Sequence, residues 1–494
     1  MKKLLANKKL AEYYKEIGIL NSINSVLHWD NNVMMPSGGA NLRSTQLTYL
    51  STKLYQLLNN PELEDLISKA ENEDSSDIEK ANINLIKRQY NDNKSVDEKL
   101  LNALTKASLT CELNWREARK ENNFKLFSQH FKELLKLTQE KAIRKGELEN
   151  LSPYDALLDI YDFGRRSSEI DVIFADLESF LPNFISQVQE KQKSQEIIPL
   201  IGEFSIEKQK HLADICMNSL GFNLNHGRLD VSTHPFSTGF SPEDVRITTR
   251  YDEKSFLSGM YGVMHEAGHA IYEQNLPKKH PFQPVSNANG MTIHESQSLF
   301  VENQIGNRIE FFEFLDPHIK KLFGSHPSLT SNNLYNIASR VKPSLIRVDA
   351  DEVTYPVHVI MRYNLERSLL SGDLPVDELP AAWDAEIYKY LKIKPKKYSE
   401  GCLQDIHWAC GSIGYFPTYT LGAMFAAQLN HSISKDMNKE AYIKSGNFIP
   451  IINELKNKIH NHGSSLTSNE LIMNATGSNL DSSIFKQYLQ NKYL

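Results

Sequence analysis

Residues 256–276 read Phe-Leu-Ser-Gly-Met-Tyr-Gly-Val-Met-His-Glu-Ala-Gly-His-Ala-Ile-Tyr-Glu-Gln-Asn-Leu, with Leu257, Met260, Met264, Ala267 and Ile271 spaced along one apolar stripe. The stretch predicts a buried helix. On it, His265-Glu266-Ala267-Gly268-His269 is an HExxH pattern. Histidines at i and i+4 leave a helix on the same face, so His265 and His269 can bind one zinc ion while Glu266 reaches the water beside it. Two ordinary helix histidines would give the same letters, so a third ligand is needed.

Downstream of Glu273 no carboxylate occurs until Glu295. Glu273 lies one turn past His269 and is better placed to buttress a histidine ring than to complete a metal site. Glu295 opens a second amphipathic segment (Ile293, Leu299, Phe300, Ile305, Ile309) after a loop able to fold it back on the first helix. A first-turn acid behind Thr292 as N-cap would occupy the same position, and His280 and His294 are alternative ligands. A metzincin needs Gly and His three and six residues past the second histidine, where this chain has Tyr272 and Asn275, so that class is excluded. Thermolysin-like or aminopeptidase-like spacing would put the glutamate near Ala288 and Asn289.

The chain is 494 residues long, and the three- and four-residue period recurs widely, as in Leu101, Leu104 and Ala107 or Phe127, Phe131, Leu134 and Leu135. The expected fold is mainly α. Arg228–Tyr251 alternates β-branched residues around Gly239, Pro242 and Asp244, predicting a small antiparallel β-sheet just before the HExxH helix. No repeat and no Pro/Gly/Ser-rich linker divides the chain. We therefore read residues 1–494 as one domain, with an N-terminal helical lobe to about residue 200 covering a catalytic lobe from about 201 to 494.

Composition removes several classes of function. Hydrophobic residues make up 40% and charged ones 23%, the usage of a folded globular chain. Lys+Arg 55 against Asp+Glu 61 leaves a net charge of -6 with no basic cluster, so no nucleic-acid partner is expected. No run approaches the ~18 apolar residues of a membrane span. Met1–Lys9 has the charges of a signal n-region, but Glu12, Lys15 and Glu16 leave no apolar stretch behind it, so no export is expected. Cys111, Cys216, Cys402 and Cys410 form no CxxC pair, which fits free thiols in the cytoplasm.

Five further stretches accompany HExxH: His234-Pro235-Phe236; Asp244-Val245-Arg246-Ile247-Thr248; His294-Glu295-Ser296-Gln297; Ile346-Arg347-Val348-Asp349-Ala350-Asp351; and Gly401 to Trp408, with Gln404-Asp405-Ile406-His407-Trp408. With Trp29-Asp30, Met35-Pro36 and Ser152 to Leu158, they closely resemble, in order and over almost the whole chain, the M32 metallocarboxypeptidases of the carboxypeptidase Taq type. Asp162-Phe163-Gly164 departs from the Glu-Pro-Gly expected there, a change expected to alter loop shape away from the metal.

The resemblance implies a helical fold with a deep groove, one catalytic divalent metal and a homodimer. It also implies His265, His269 and Glu295 as metal ligands and Glu266 as general base. The metal is expected to be zinc, with cobalt or manganese accepting the same donors. The oxyanion needs a donor besides the metal, and the resemblance points to Tyr419, then Tyr415. Arg347 would grip the free C-terminal carboxylate of a peptide substrate, His234 would line the pocket near the scissile bond, and Arg246 would bridge the sheet to neighbouring acids. Packing tyrosines, a core histidine, or an ion pair of Arg347 with Asp349, Asp351 or Glu352 would account for the same residues. Two other readings share these motifs: a helical-groove metallo-oligopeptidase cutting internally, and a non-enzymatic scaffold, against which the intact Glu266 and ligand set argue.

Overall fold

The computed structural model describes residues 8–494, a helical array with one small sheet. Met1–Asn7, which hold Lys2 and Lys3 of the segment weighed above as a signal n-region, lie outside the described residues. Apolar side chains gather in three cores. The smallest joins Leu10, Tyr14 and Ile17 to Leu63, Ile67, Ile83 and Ile86. The largest packs Trp115, Phe127, Phe131, Phe174 and Phe184 against Val357, Trp383, Trp408, Leu421 and Phe485. The third surrounds the HExxH helix with Leu212, Ile293, Phe311, Phe425 and Ile451. Residues before about 200 thus feed two cores, and the larger is shared with the C-terminal half.

The sheet contains β1 (Gly227–Val231), β2 (Ser237–Ser241) and β3 (Asp244–Thr249) in the order β1-β3-β2. It is mixed rather than antiparallel, because β1 pairs with β3 in parallel and β2 pairs with β3 antiparallel. Val245, Ile247, Thr248 and Thr249 are buried, so β3 takes the centre, and its tight turn with β2 uses one edge. The short loop at 232–236 crosses the end of β3, so β1 ends where β2 begins and must run alongside β3 in the same direction.

Three helices meet behind the sheet: the motif helix Phe256–Gln274, the glutamate helix Met291–Leu299 and the tyrosine helix Pro417–Asp436. Two glycines set how closely they approach. A Cβ on Gly268 would lie 2.6 Å from Gln297 O and Ser298 Cα, and one on Gly422 would lie 3.0 Å from Glu295 Cβ. The chain continues from the glutamate helix into a π-helical stretch, Phe300–Gly306, and Ile309 begins a separate helix.

The start of the glutamate helix is anchored by the segment expected to lie away from the metal. Thr292 does not cap the helix; its hydroxyl donates to Asp162 Oδ2 at 2.6 Å, and Arg165 Nε donates to the same oxygen at 3.2 Å. Gly290 also packs on Tyr161 O, where a Cβ would come within 2.7 Å. Asp162-Phe163-Gly164 therefore influences the placement of Glu295, three residues beyond Thr292.

Because its neighbours are backbone atoms of a second helix, Gly268→Ala must separate the two helices at the metal residues. We expect a loss of about 1–3 kcal/mol, read as a lower thermal midpoint, together with weaker metal binding. Gly262→Ala, whose Cβ would meet the Thr249 hydroxyl at 3.0 Å and Pro235 at 3.8 Å, should be milder.

Candidate active site

The helical period brings His265 and His269 to one face of the motif helix, and the crossing of the glutamate helix carries Glu295 to them. His269 Nε2 lies 3.3 Å from Glu295 Oε2, and His265 Nε2 lies 3.9 Å from Glu295 Oε1. Ligand atoms bound tetrahedrally at zinc distances sit about 3.3 Å apart, so these three side chains fit a small divalent cation with little movement. His280 takes no part: it is buried near Lys279 and Glu79. His294 stands behind His269 instead of beside it.

Each of these two histidines is held through its other ring nitrogen. Glu302, on the π-helical stretch, lies 2.7 Å from His265 Nδ1. His269 Nδ1 lies 2.6 Å from His294 Nδ1, and His294 Nε2 lies 2.9 Å from Glu273 Oε1. A carboxylate can only accept, so His294 carries its proton on Nε2, leaving its Nδ1 to accept from His269 Nδ1–H. That chain presents His269 Nε2 as a bare lone pair. Glu273 thus buttresses a ring, as its spacing predicts, but through His294. The sequence reading misses Glu302, although it lies seven residues past Glu295 and hence on the same helical face.

Electrostatics fit the same conclusion. Burial opposes charge on His265, yet Glu295, Glu302 and Glu266 outweigh it and raise its pKa to about 10. Burial and the neighbouring His294 hold His269 down at about 4, the neutral form a metal requires. Glu295 drops to about 2 because the imidazoles overcome its burial, whereas burial lifts Glu266 to about 7. None of Glu266, Glu295 and Glu302 has a lysine or arginine within 4.0 Å among the described residues.

A second, positive cluster adjoins the first. Arg347 is buried, and its Nε and Nη2 donate to Asp405 Oδ1 at 3.0 and 2.9 Å while Nη1 donates to Tyr355. Its partner is therefore Asp405, not Asp349, Asp351 or Glu352. Arg362 Nε donates to the other Asp405 oxygen at 2.7 Å. Burial depresses His358 and His407 to about 3 and about 4, so both are neutral. Two guanidiniums thus face one carboxylate, leaving an excess positive charge suited to an anion.

Tyr419 sits between the clusters. Its hydroxyl is 3.2 Å from His407 Nε2, and its ring lies 4.9 Å from the Arg347 guanidinium. Burial raises the pKa of Tyr419 and Tyr415, with Glu295 adding to both. The two rings pack edge to face at 5.3 Å. His234 is exposed, and no hydrogen bond joins its imidazole to these residues among those described; its carbonyl accepts from Ser232 Oγ at 2.5 Å. Arg246 pairs with Asp244 at 2.7 Å within its own strand and stacks on Trp29 at 4.6 Å.

The chain is similar to known carboxypeptidases over its whole length. Carboxypeptidase 1 of Bacillus subtilis (strain 168) is 35% identical over 493 residues, covering 98% of this chain and 97% of that one. The structure of Trypanosoma cruzi metallocarboxypeptidase 1 superposes with a TM-score of 0.96 at 37% identity, covering 98% of this chain and 99% of the other. Pyrococcus furiosus carboxypeptidase, in a structure described as Apo-Mg, gives 0.96 at 35% identity over 100% of both chains. The family profile described as carboxypeptidase Taq (M32) metallopeptidase matches residues 9–493, and the chain belongs to that family of metallocarboxypeptidases.

Proposed function

We propose that this metallocarboxypeptidase removes C-terminal residues with His265, His269 and Glu295 as metal ligands, Glu266 as general base and Arg347 as the reader of the substrate's free carboxylate. The observation that carries it is the pairing of two clusters of opposite charge, three carboxylates around two imidazoles beside two guanidiniums on one carboxylate. A divalent cation supplies Lewis acidity there, acidifying water and polarising the scissile carbonyl. Zinc suits two imidazoles and one carboxylate best, and cobalt or manganese would accept them too.

The chain's own groups perform the remaining steps. Glu266 accepts the proton of the attacking water, holds it on its carboxyl and passes it to the departing amine. Tyr419 donates to the carbonyl oxygen as charge develops on it. For that, His407 must donate from Nε2 to the phenol oxygen, which leaves the phenol hydrogen free. Tyr415 is the second choice, and His234 lines the outer pocket. Arg347, kept flat by Asp405 and stacked on Tyr419, orients the terminal carboxylate and so fixes which peptide bond meets Glu266. One working unit over the full chain, a homodimer and a reducing, cytoplasmic setting for the four free thiols complete the reading. Light scattering tests the dimer.

Glu266→Gln should keep full metal content yet lose at least about 100-fold in kcat, since an amide cannot accept the proton. Turnover near the native rate would remove Glu266 as base. Tyr419→Phe should lower kcat by on the order of 100-fold with little change in KM; if Tyr415→Phe does so instead, the role moves there.

The carboxylate reading is tested on both substrate and enzyme. Amidated peptides should be poor substrates, because an amide cannot replace the charge-assisted bonds of a carboxylate. Arg347→Ala should cut kcat/KM for free-acid peptides steeply and for amidated ones slightly, which abolishes the preference. A variant that still favours the free acid would assign the carboxylate to another cation, with Arg362 the nearest.

A further inference from the structure

Arg347 and Tyr355 are eight positions apart in the chain, and an acid between them brings them together. The carboxylate of Asp351 accepts from the backbone N–H of Lys342 at 2.9 Å, of Val353 at 3.0 Å and of Thr354 at 2.9 Å. Its carbonyl accepts from Tyr355 N at 2.9 Å. The chain therefore turns back after the short turn Arg347–Asp349, and the helix Tyr355–Ser371 starts with its first side chain against the guanidinium. Gln404 fixes the other end, since its Oε1 accepts from Arg347 N at 2.8 Å.

Both side chains keep donors in reserve. Of the five N–H groups of a guanidinium, Arg347 spends Nε and Nη2 on Asp405 and one Nη1 hydrogen on the Tyr355 oxygen at 2.5 Å, so two remain. The Tyr355 oxygen accepts that bond, while its own O–H reaches no acceptor among the described residues. Asp405 is not available to it, because both oxygens already accept from Arg347 and Arg362. Burial raises the Tyr355 pKa, Arg347 opposes the rise, and Tyr419, Glu295 and Asp405 add to it, so the phenol keeps its proton. The residue is partly exposed, and its ring meets that of Tyr419 edge to face at 6.0 Å. It touches Arg347 and feels the charge of Glu295, which puts it at the border of the two clusters. A largely buried O–H without a partner forgoes a hydrogen bond that a ligand can supply.

We propose, resting on the assignment of Arg347 to the substrate's C-terminal carboxylate, that Tyr355 is a second reader of that carboxylate, its O–H donating beside the two free N–H groups of Arg347. A carboxylate is acceptor-only and has room for all three donors. A terminal amide has one oxygen and turns an NH2 group toward them. A site built from donors rejects it by that mismatch, so Tyr355 sets the specificity for a free chain end.

Steady-state kinetics of the metal-loaded enzyme on paired peptides, identical but for a free or amidated C-terminus, test it. Tyr355→Phe should lower kcat/KM for the free acid at least about 10-fold, the loss expected of a charge-assisted hydrogen bond, mainly through KM, and leave the amide within about 2-fold. The released amino acid, as a competitive inhibitor, should bind more weakly by a similar factor. Removing the hydroxyl also takes an acceptor from Arg347, so the substitution is repeated with the guanidinium gone. Added to Arg347→Ala, Tyr355→Phe should lower the free acid a further several-fold and bring it below the amide, because the carboxylate then meets neither donor. No further loss in the double variant would make the phenol only a support for Arg347. An equal fall in kcat for acid and amide would put its hydrogen on the scissile carbonyl, and an unchanged acid-to-amide ratio in a folded Tyr355→Phe would leave it without a role. Each of these overturns the assignment of Tyr355 while that of Arg347 stands. If Arg347→Ala itself keeps the preference for the free acid, both assignments fall.

Discussion

Three carboxylates crowd two imidazoles with no lysine or arginine within 4.0 Å among the described residues, and much of the surrounding structure depends on that imbalance. Buried like charges are tolerable only where a cation is to be bound, so the site is held together by the surrounding protein in advance of the ion. The contacts that hold it are close helix approaches at glycines and a buried side-chain hydrogen bond. Gly268 lets the glutamate helix lie against the motif helix, Gly422 lets the tyrosine helix reach Glu295, and Asp162 fixes Thr292 at the helix start. Local departures from regular structure serve the same end, since the π-helical stretch carries Glu302, which reaches His265.

The two candidate ligand histidines are supported differently. His265 meets a carboxylate directly, whereas His269 meets one through an intervening imidazole. A carboxylate raises the basicity of the ring it touches, and a neutral imidazole does so less while fixing the tautomer equally well. The arrangement places one carboxylate directly on His265 Nδ1 and keeps His269 neutral.

The positive cluster obeys the opposite logic. Asp405 neutralises one of two guanidiniums and holds both by its two oxygens, so the excess charge stays fixed in position yet available. Tyr419 feels both Glu295 and Arg347. An active site that must find a chain end and cut one bond away from it needs these opposite charges a fixed distance apart, and the shared helix packing sets that distance.

The sequence by itself determined the mainly helical class, the buried motif helix and the shared face of His265 and His269, because each is written at short range in a period or an i, i+4 spacing. Family resemblance extended this to Glu295, Arg347 and the tyrosines. Tertiary structure decided what depends on chain crossing. Only packing against Gly268 separates Glu295 from His280 and His294, which are equally good ligands on paper. Asp405 as the partner of Arg347, 58 residues away, could not be read from neighbouring acids such as Asp349 and Asp351. The mixed sheet came from which strand is buried on both sides, and the influence of Asp162 on Glu295 from a contact across 130 residues. Periodicity records which face of an element is buried; which partner it meets there is set by the fold as a whole.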